Sequence, residues 1–344
     1  MLSRRSFLKL GGLALAAAHP REAAARSKPA TSVIDLHAHF YPKLFLDALA
    51  EEGAPPSFPA DARARLDPTF WDLAKRLERM DAQGVTLHAL SLSLPMVHWA
   101  PPERGARLAR LVNDAMSVAH LSWPDRFVGC AALPVQDPAR AVEELERAAG
   151  LRGIRAVYLP TSLEGRELSD AALSPIYARC EALRLPILLH PVAVIGAERL
   201  QPFYLRNLLG NPFDTAVAAA HLVFGGVLDR HPTLEVVLPH GGGALPYLAG
   251  RLEHGQKVRP EAKDAARRPF PEYLRRFHYD TVTHSVEALR FLVDRVGADR
   301  VVLGSDYCFD MGYEKPREIV ASLRLRPADR DKILGGNAAR LLRL

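Results

Sequence analysis

Asp35-Leu36-His37-Ala38-His39 closes the apolar run at residues 33–39, and its two histidines stand two positions apart. On a β-strand, side chains two apart leave from the same face, so His37 and His39 can address one ion from a single strand. Three more apolar runs end in a potential ligand: Leu188-Leu189-His190, Leu238-Pro239-His240 and Gly304-Ser305-Asp306. A closed barrel is the arrangement that would bring strand ends so far apart in the chain to one mouth.

Working outward from that stretch, strand-length apolar runs alternate with segments of helical period, the pattern of parallel β/α units. Strands are predicted at 33–39, 86–94, 127–134, 154–160, 186–190, 234–240, 278–284 and 301–306, with helices at 70–83, 104–121, 138–149, 170–183, 215–229 and 286–296. Eight units predict an α/β fold, a (β/α)8 TIM barrel. Residues 41–68 and 191–214 are too long for simple turns and read as covers over the strands' C-terminal ends. A last helical segment, 327–341, is expected to pack outside the barrel. With 344 residues, 48% of them hydrophobic, the chain can fill one large core.

Residues 1–25 differ from the rest. Ser3-Arg4-Arg5-Ser6-Phe7-Leu8-Lys9 precedes a weakly apolar stretch and Ala23-Ala24-Ala25, the layout of a twin-arginine export signal. The predicted organisation is therefore a signal at 1–25 and one domain at 26–344, with a periplasmic or exported destination. The segment is too short and glycine-interrupted for a stable membrane span. Arg4, Arg5, Lys9 and Arg21 against Glu22 carry +3 of the formal +6, leaving +3 for the remainder. Such mild basicity, without Lys/Arg runs, excludes nucleic acid as the expected partner and permits a small carboxylate substrate. Cys130, Cys180 and Cys308 are too widely spaced for a metal knuckle, and Cys308 reads as a loop residue.

His37, His39, His190 and Asp306 form the predicted ligand set. Three imidazoles and a carboxylate suit one divalent ion, Zn²⁺ first, with Mn²⁺ or Fe²⁺ as alternatives. His240 is assigned as general base on water held by the ion, with a fifth ligand as the other reading. Gly241-Gly242-Gly243 fits a tight β/α turn and matches no phosphate-binding pattern. His284 and His98 are placed to line a pocket, whereas His88 belongs to the stability face of strand two.

With these residues in place the chain resembles the amidohydrolase superfamily, in the branch of aminocarboxymuconate semialdehyde decarboxylase and related aromatic-acid decarboxylases. The resemblance runs from about Val33 to the C-terminus, through Asp35 to Pro42, Met80-Asp81-Ala82-Gln83-Gly84-Val85, Pro186 to Pro191, His240 to Gly243 and Gly304-Ser305-Asp306-Tyr307. It implies a mononuclear centre, since Tyr158-Leu159-Pro160 stands where dinuclear relatives carry a bridging lysine. It also implies a substrate carboxylate held by Arg251 from a second subunit, hence a homodimer, with Tyr204 in the pocket and Arg63 or Arg65 as lid cations. Non-oxidative decarboxylation of a small unsaturated or aromatic acid is the reaction implied. Hydrolysis of a lactone, ester or amide shares the ligand set and is the alternative. Ligand binding without turnover is a third.

Overall fold

The computed structural model describes residues 32–56, 58, 66–163, 165–263 and 265–344. The expected export segment and the expected lid residues Arg63 and Arg65 lie outside the described residues. None of the helices described is long and apolar enough to cross a membrane.

Eight parallel strands follow one another in chain order: β1 Ile34–His39, β2 Leu87–Ser91, β3 Phe127–Ala132, β4 Ile154–Pro160, β5 Ile187–His190, β6 Val236–Leu238, β7 Phe277–Asp280 and β8 Val301–Val302. The first and last strands also meet. Leu36 N–H donates to Leu303 O and Asp306 N–H to His37 O, both at 2.9 Å, and Ala38 pairs with Tyr307. These bonds close the sheet into the (β/α)8 barrel that the eight-unit pattern predicted. A small two-stranded ribbon, Ser162–Leu163 with Arg166–Glu167, sits after β4.

The helices start where the sequence supplies caps. Asp72 accepts from the Ala74 and Lys75 amides to open Leu73–Gln83, Asp137 opens Pro138–Ala149, and Ser285 opens Val286–Val296. Inside the barrel, Ile34, Leu36, Leu87, Ala89, Val128, Cys130, Ala156 and Val302 pack together, while two further clusters fill the layer between strands and helices. The terminal helix Asn337–Leu342 lies outside the strands, as read, but at the barrel floor: Ala338, Leu341 and Leu342 join the interior cluster.

Several strands are shorter than their apolar runs. β7 ends at Asp280, four residues before His284, and β6 ends at Leu238, so His240 occupies a turn. The ladder ends before these residues, and His240 and His284 both take positive φ. In β1 there is a bulge: Asp35 faces His88 and Ala38 faces Leu90, so Leu36 and His37 together stand opposite Ala89. That extra residue lets Leu36 fill the interior below while His37 and His39 still turn to the mouth.

Candidate metal centre

The bulged β1 delivers His37 and His39, β5 delivers His190 at its last position, the turn after β6 delivers His240, and the extended segment after β8 delivers Asp306. One donor atom from each of His37, His190, His240 and Asp306 lies within 4.8 Å of the other three. His39 joins them, its Nε2 lying 2.9 Å from Asp306 Oδ1 and 3.1 Å from His37 Nε2. The fold thus brings all five predicted residues together.

Each of the three histidines expected as ligands has an acceptor for a proton on Nδ1. His37 Nδ1 lies 2.7 Å from Asp280 Oδ2, His190 Nδ1 lies 2.9 Å from the Pro191 carbonyl, and both acceptors require a ring N–H. Ser91 Oγ donates to Ala38 O at 3.3 Å and so can accept from His39 Nδ1–H at 3.2 Å. In all three rings Nε2 is the nitrogen left facing the centre, the arrangement that metal-binding imidazoles need. His190 Nε2 is buried and has no hydrogen-bond partner among the described residues. An electrophile would satisfy that atom and separate the two facing Nε2 atoms of His37 and His39.

Charge makes the same demand. Asp35, Asp280 and Asp306 are buried carboxylates around the centre, and Arg76, with 0% exposure, is the buried guanidinium beside them, donating to the carbonyls of His39 and Thr69. Ionised, they sum to two negative charges, which a divalent cation neutralises; uncompensated buried ions cost several kcal/mol apiece, by an order-of-magnitude reckoning of about that size. Burial alone would lower the His37 pKa, but Asp306 and Asp280 outweigh it and push it up to about 10. Burial lowers His39 to about 4 and holds His190 well below the usual histidine range. Asp306 is held well below the ordinary carboxylate value: burial opposes this, and the His37 charge with bonds from His240, His37 and His39 prevails. A proton on His37 thus occupies the position a cation would take.

His240 stands apart from the other imidazoles. Its Nε2 is 3.7 Å from Asp306 Oδ2, and it lines a cavity of about 750 Å³ together with Asp306, whereas His37, His39 and His190 do not. The cavity runs between Pro212, Pro246 and Tyr247 on one side and Val282, His284 and Phe291 on the other. Among the described residues its lining includes no lysine or arginine. His240, His284 and Asp306 all adopt positive φ, 55°, 53° and 58°, which costs non-glycine residues about 1–3 kcal/mol each and is characteristic of functional sites.

The family model described as amidohydrolase matches residues 34–344. The chain belongs to the amidohydrolase family. A 2-amino-3-carboxymuconate-6-semialdehyde decarboxylase of Dictyostelium discoideum is 32% identical to this amidohydrolase over 329 residues, covering 90% of this chain and 91% of the relative. The crystal structure of 5-carboxyvanillate decarboxylase from Sphingomonas paucimobilis superposes with a TM-score of 0.82 at 26% identity, covering 91% of this chain and 99% of that one. A dihydroxybenzoic acid decarboxylase of Polaromonas sp. JS666, solved with manganese and the inhibitor 2-nitroresorcinol, superposes with a TM-score of 0.78 at 27% identity, covering 91% and 97%.

The remaining predicted residues of the amidohydrolase fall at different distances from the centre. His284 lines the cavity, its ring packed on Tyr313 at 4.8 Å. Tyr204 is half-exposed in the segment after β5, and burial with the charges of Asp310 and Asp306 raises its pKa. Arg251 is exposed on helix Leu245–Val258 and is not among the residues lining the cavity of a single chain. His98 is largely enclosed, which lowers it to about 4, and does not line the cavity. Cys308 packs near Arg76 with its thiol pushed up by burial to about 12, consistent with an inert loop residue. His88 is buried between Arg76 and Asp35, the structural role expected of it.

Asp280 was missed. Extending β7 to His284 placed Asp280 mid-strand, where a carboxylate carries no message. Its position three residues after Phe277, before Thr281-Val282-Thr283, offered a weak signal at best, because only the closed barrel sets it against His37. Tyr158 stacks on His190 with ring centroids 5.8 Å apart.

Proposed function

We propose that this amidohydrolase is a metal-dependent, non-oxidative decarboxylase of a small aromatic or unsaturated carboxylic acid. The observation that carries the reading is that, of the four imidazoles at the centre, His240 alone opens onto the cavity, with three others behind it in ligand tautomers. His37, His39, His190 and Asp306 would hold one divalent ion, which supplies Lewis acidity toward the substrate's carboxylate and neighbouring oxygen. His240 then gives its proton to the ring or alkenyl carbon as the carbon–carboxylate bond breaks. The bonding electrons stay on that carbon, the proton joins it, and CO₂ leaves the apolar cavity. The relatives matched are decarboxylases, which favours this reading over hydrolysis.

Three imidazoles with one carboxylate support zinc as the native ion, and manganese in a relative is the competing precedent. A homodimer is supported by exposed apolar rings at the mouth: Tyr247 is 84% exposed and Phe203 86%, and Arg251 lies one helical turn beyond Tyr247. In that dimer Arg251 would meet the substrate of the second copy. Export through the twin-arginine segment completes the reading, with fractionation of a tagged full chain as its test.

The decisive assay loads metal-stripped protein with Zn²⁺, Mn²⁺ or Fe²⁺ and measures CO₂ from hydroxybenzoates, carboxyvanillates and conjugated dicarboxylates. CO₂ release that falls about 10²–10⁴-fold in His240→Ala, with the ion retained, is the expected result. Cleavage of lactones or esters with no CO₂ from any acid would overturn it. Arg251→Ala should raise KM, and light scattering should give twice the monomer mass.

A further inference from the structure

Asp280 touches more than one part of the centre. The residue is 1% exposed and ends β7. One oxygen accepts the His37 ring N–H at 2.7 Å, and the other accepts the backbone N–H groups of Gly241 at 2.8 Å and Val282 at 3.0 Å. Gly241 directly follows His240, in a turn where both residues have positive φ. On the His240 ring, Nδ1 is buried and unpartnered among the described residues, and Nε2 reaches no closer than 3.7 Å to Asp306 Oδ2. The backbone turn therefore aims the ring, and Asp280 is a side chain that anchors that turn. Nearby, Gly304 leaves room for the pair, since a Cβ there would meet Asp280 Cβ at 2.8 Å and His37 Cβ at 3.0 Å.

We infer that Asp280 is a positioning residue that couples the metal ligand on β1 to the proton-transfer histidine after β6. Its first oxygen fixes the His37 tautomer so that Nε2 presents a lone pair. Its second oxygen holds the Gly241 amide and with it the direction of His240. One carboxylate thereby sets the distance between the ion and the acid that protonates the substrate. The inference rests on the decarboxylase reading for its kinetic arm alone; the metal-affinity arm stands without it.

The two oxygens are separable by substitution. In Asp280→Asn the amide oxygen can keep the Gly241 and Val282 bonds, which turns the NH₂ toward His37 Nδ1 and forces the ring proton onto Nε2. Zn²⁺ affinity, measured by chelator competition, should weaken about 10- to 100-fold. Nitrogen-15 shifts of the metal-free protein should show His37 carrying its proton on Nε2 alone, where the wild type carries one on each ring nitrogen, and excess Zn²⁺ should restore kcat to within about threefold. In Asp280→Ala both anchors go: affinity falls similarly, but excess Zn²⁺ should leave kcat at least about tenfold down with KM within about twofold, following the loss of a placed proton donor. Hydrogen exchange of the 238–244 peptide should speed up in Asp280→Ala and stay slow in Asp280→Asn, a comparison that needs no turnover. Wild-type Zn²⁺ affinity in Asp280→Asn, or full kcat on adding Zn²⁺ to Asp280→Ala, would overturn the inference. Should the wild type release no CO₂ from any acid, the functional proposal falls, while tautomer, affinity and exchange still decide the role of Asp280.

Discussion

A single methyl group at Gly304 should damage the metal centre without touching any ligand. Gly304 lies two residues before Asp306 and its φ is not left-handed, so alanine meets no backbone objection there. The objection is steric. A Cβ would stand 2.8 Å from Asp280 Cβ and 3.0 Å from His37 Cβ. Carbon atoms rest at about 3.5–4.0 Å, so one of these side chains, or the strand itself, must retreat by about 0.7 Å. Ligand distances tolerate about 0.2 Å, and displacing a ligand's supporting partner typically costs about 10- to 100-fold in metal affinity, or about 1.4–2.8 kcal/mol. Overpacking adds about 1–3 kcal/mol of lost stability in the metal-free protein. The assay is competition of Gly304→Ala and wild type for Zn²⁺ against a chelator of known affinity, with thermal melts of the stripped proteins. Gly250→Ala is the control, because nothing lies within 4 Å of a Cβ there and the helix should gain about 0.5–1 kcal/mol. If Gly304→Ala bound Zn²⁺ within about twofold of wild type, the packing of His37 and Asp280 described above would be wrong.

Three further outcomes are expected. His190→Ala removes the buried Nε2 that has no protein partner, and should lower Zn²⁺ affinity by more than the roughly 100-fold upper figure for an outer partner, seen as metal-free protein after dialysis. His37 in the metal-free protein is pushed up to about 10 from 6.5, so the stability its proton confers is complete below about pH 6.5 and is lost as pH rises through 10; stripped protein should melt lower at pH 10 than at pH 7, and Zn²⁺ binding at pH 8 should release close to one proton, measured calorimetrically in buffers of different ionisation enthalpy. Leu341→Ala at the barrel floor, where Leu341 is 4% exposed, should cost about 2–5 kcal/mol in denaturant melts while leaving metal affinity unchanged, because the floor lies opposite the mouth.

The barrel and the polar cluster at its mouth were legible because both rest on local pattern. Alternating apolar runs and helical periods name eight β/α units, and a polar residue at the end of a fully apolar run, as His190 is in Ile187-Leu188-Leu189-His190, has no local reason to be there. The bulge in β1 was not legible. Strict two-residue alternation puts His37 opposite in sense to Ile34 and Leu36, yet all three face inward, and no feature of Asp35-Leu36-His37 announces the extra residue. The end of β7 was equally hidden, since residues 278–284 read as one extended run, whereas the ladder stops at Asp280.

By itself, then, the order of residues determined the fold class and the five groups of the centre, both properties of spacing along one chain. Tertiary structure alone decided which tautomer each imidazole holds, which histidine opens onto the cavity, and that Asp280 serves His37 across 243 positions of sequence. The physical reason is that periodicity reports which face a side chain takes, whereas hydrogen-bond partners between strands depend on closure, bulges and register, which no single strand encodes.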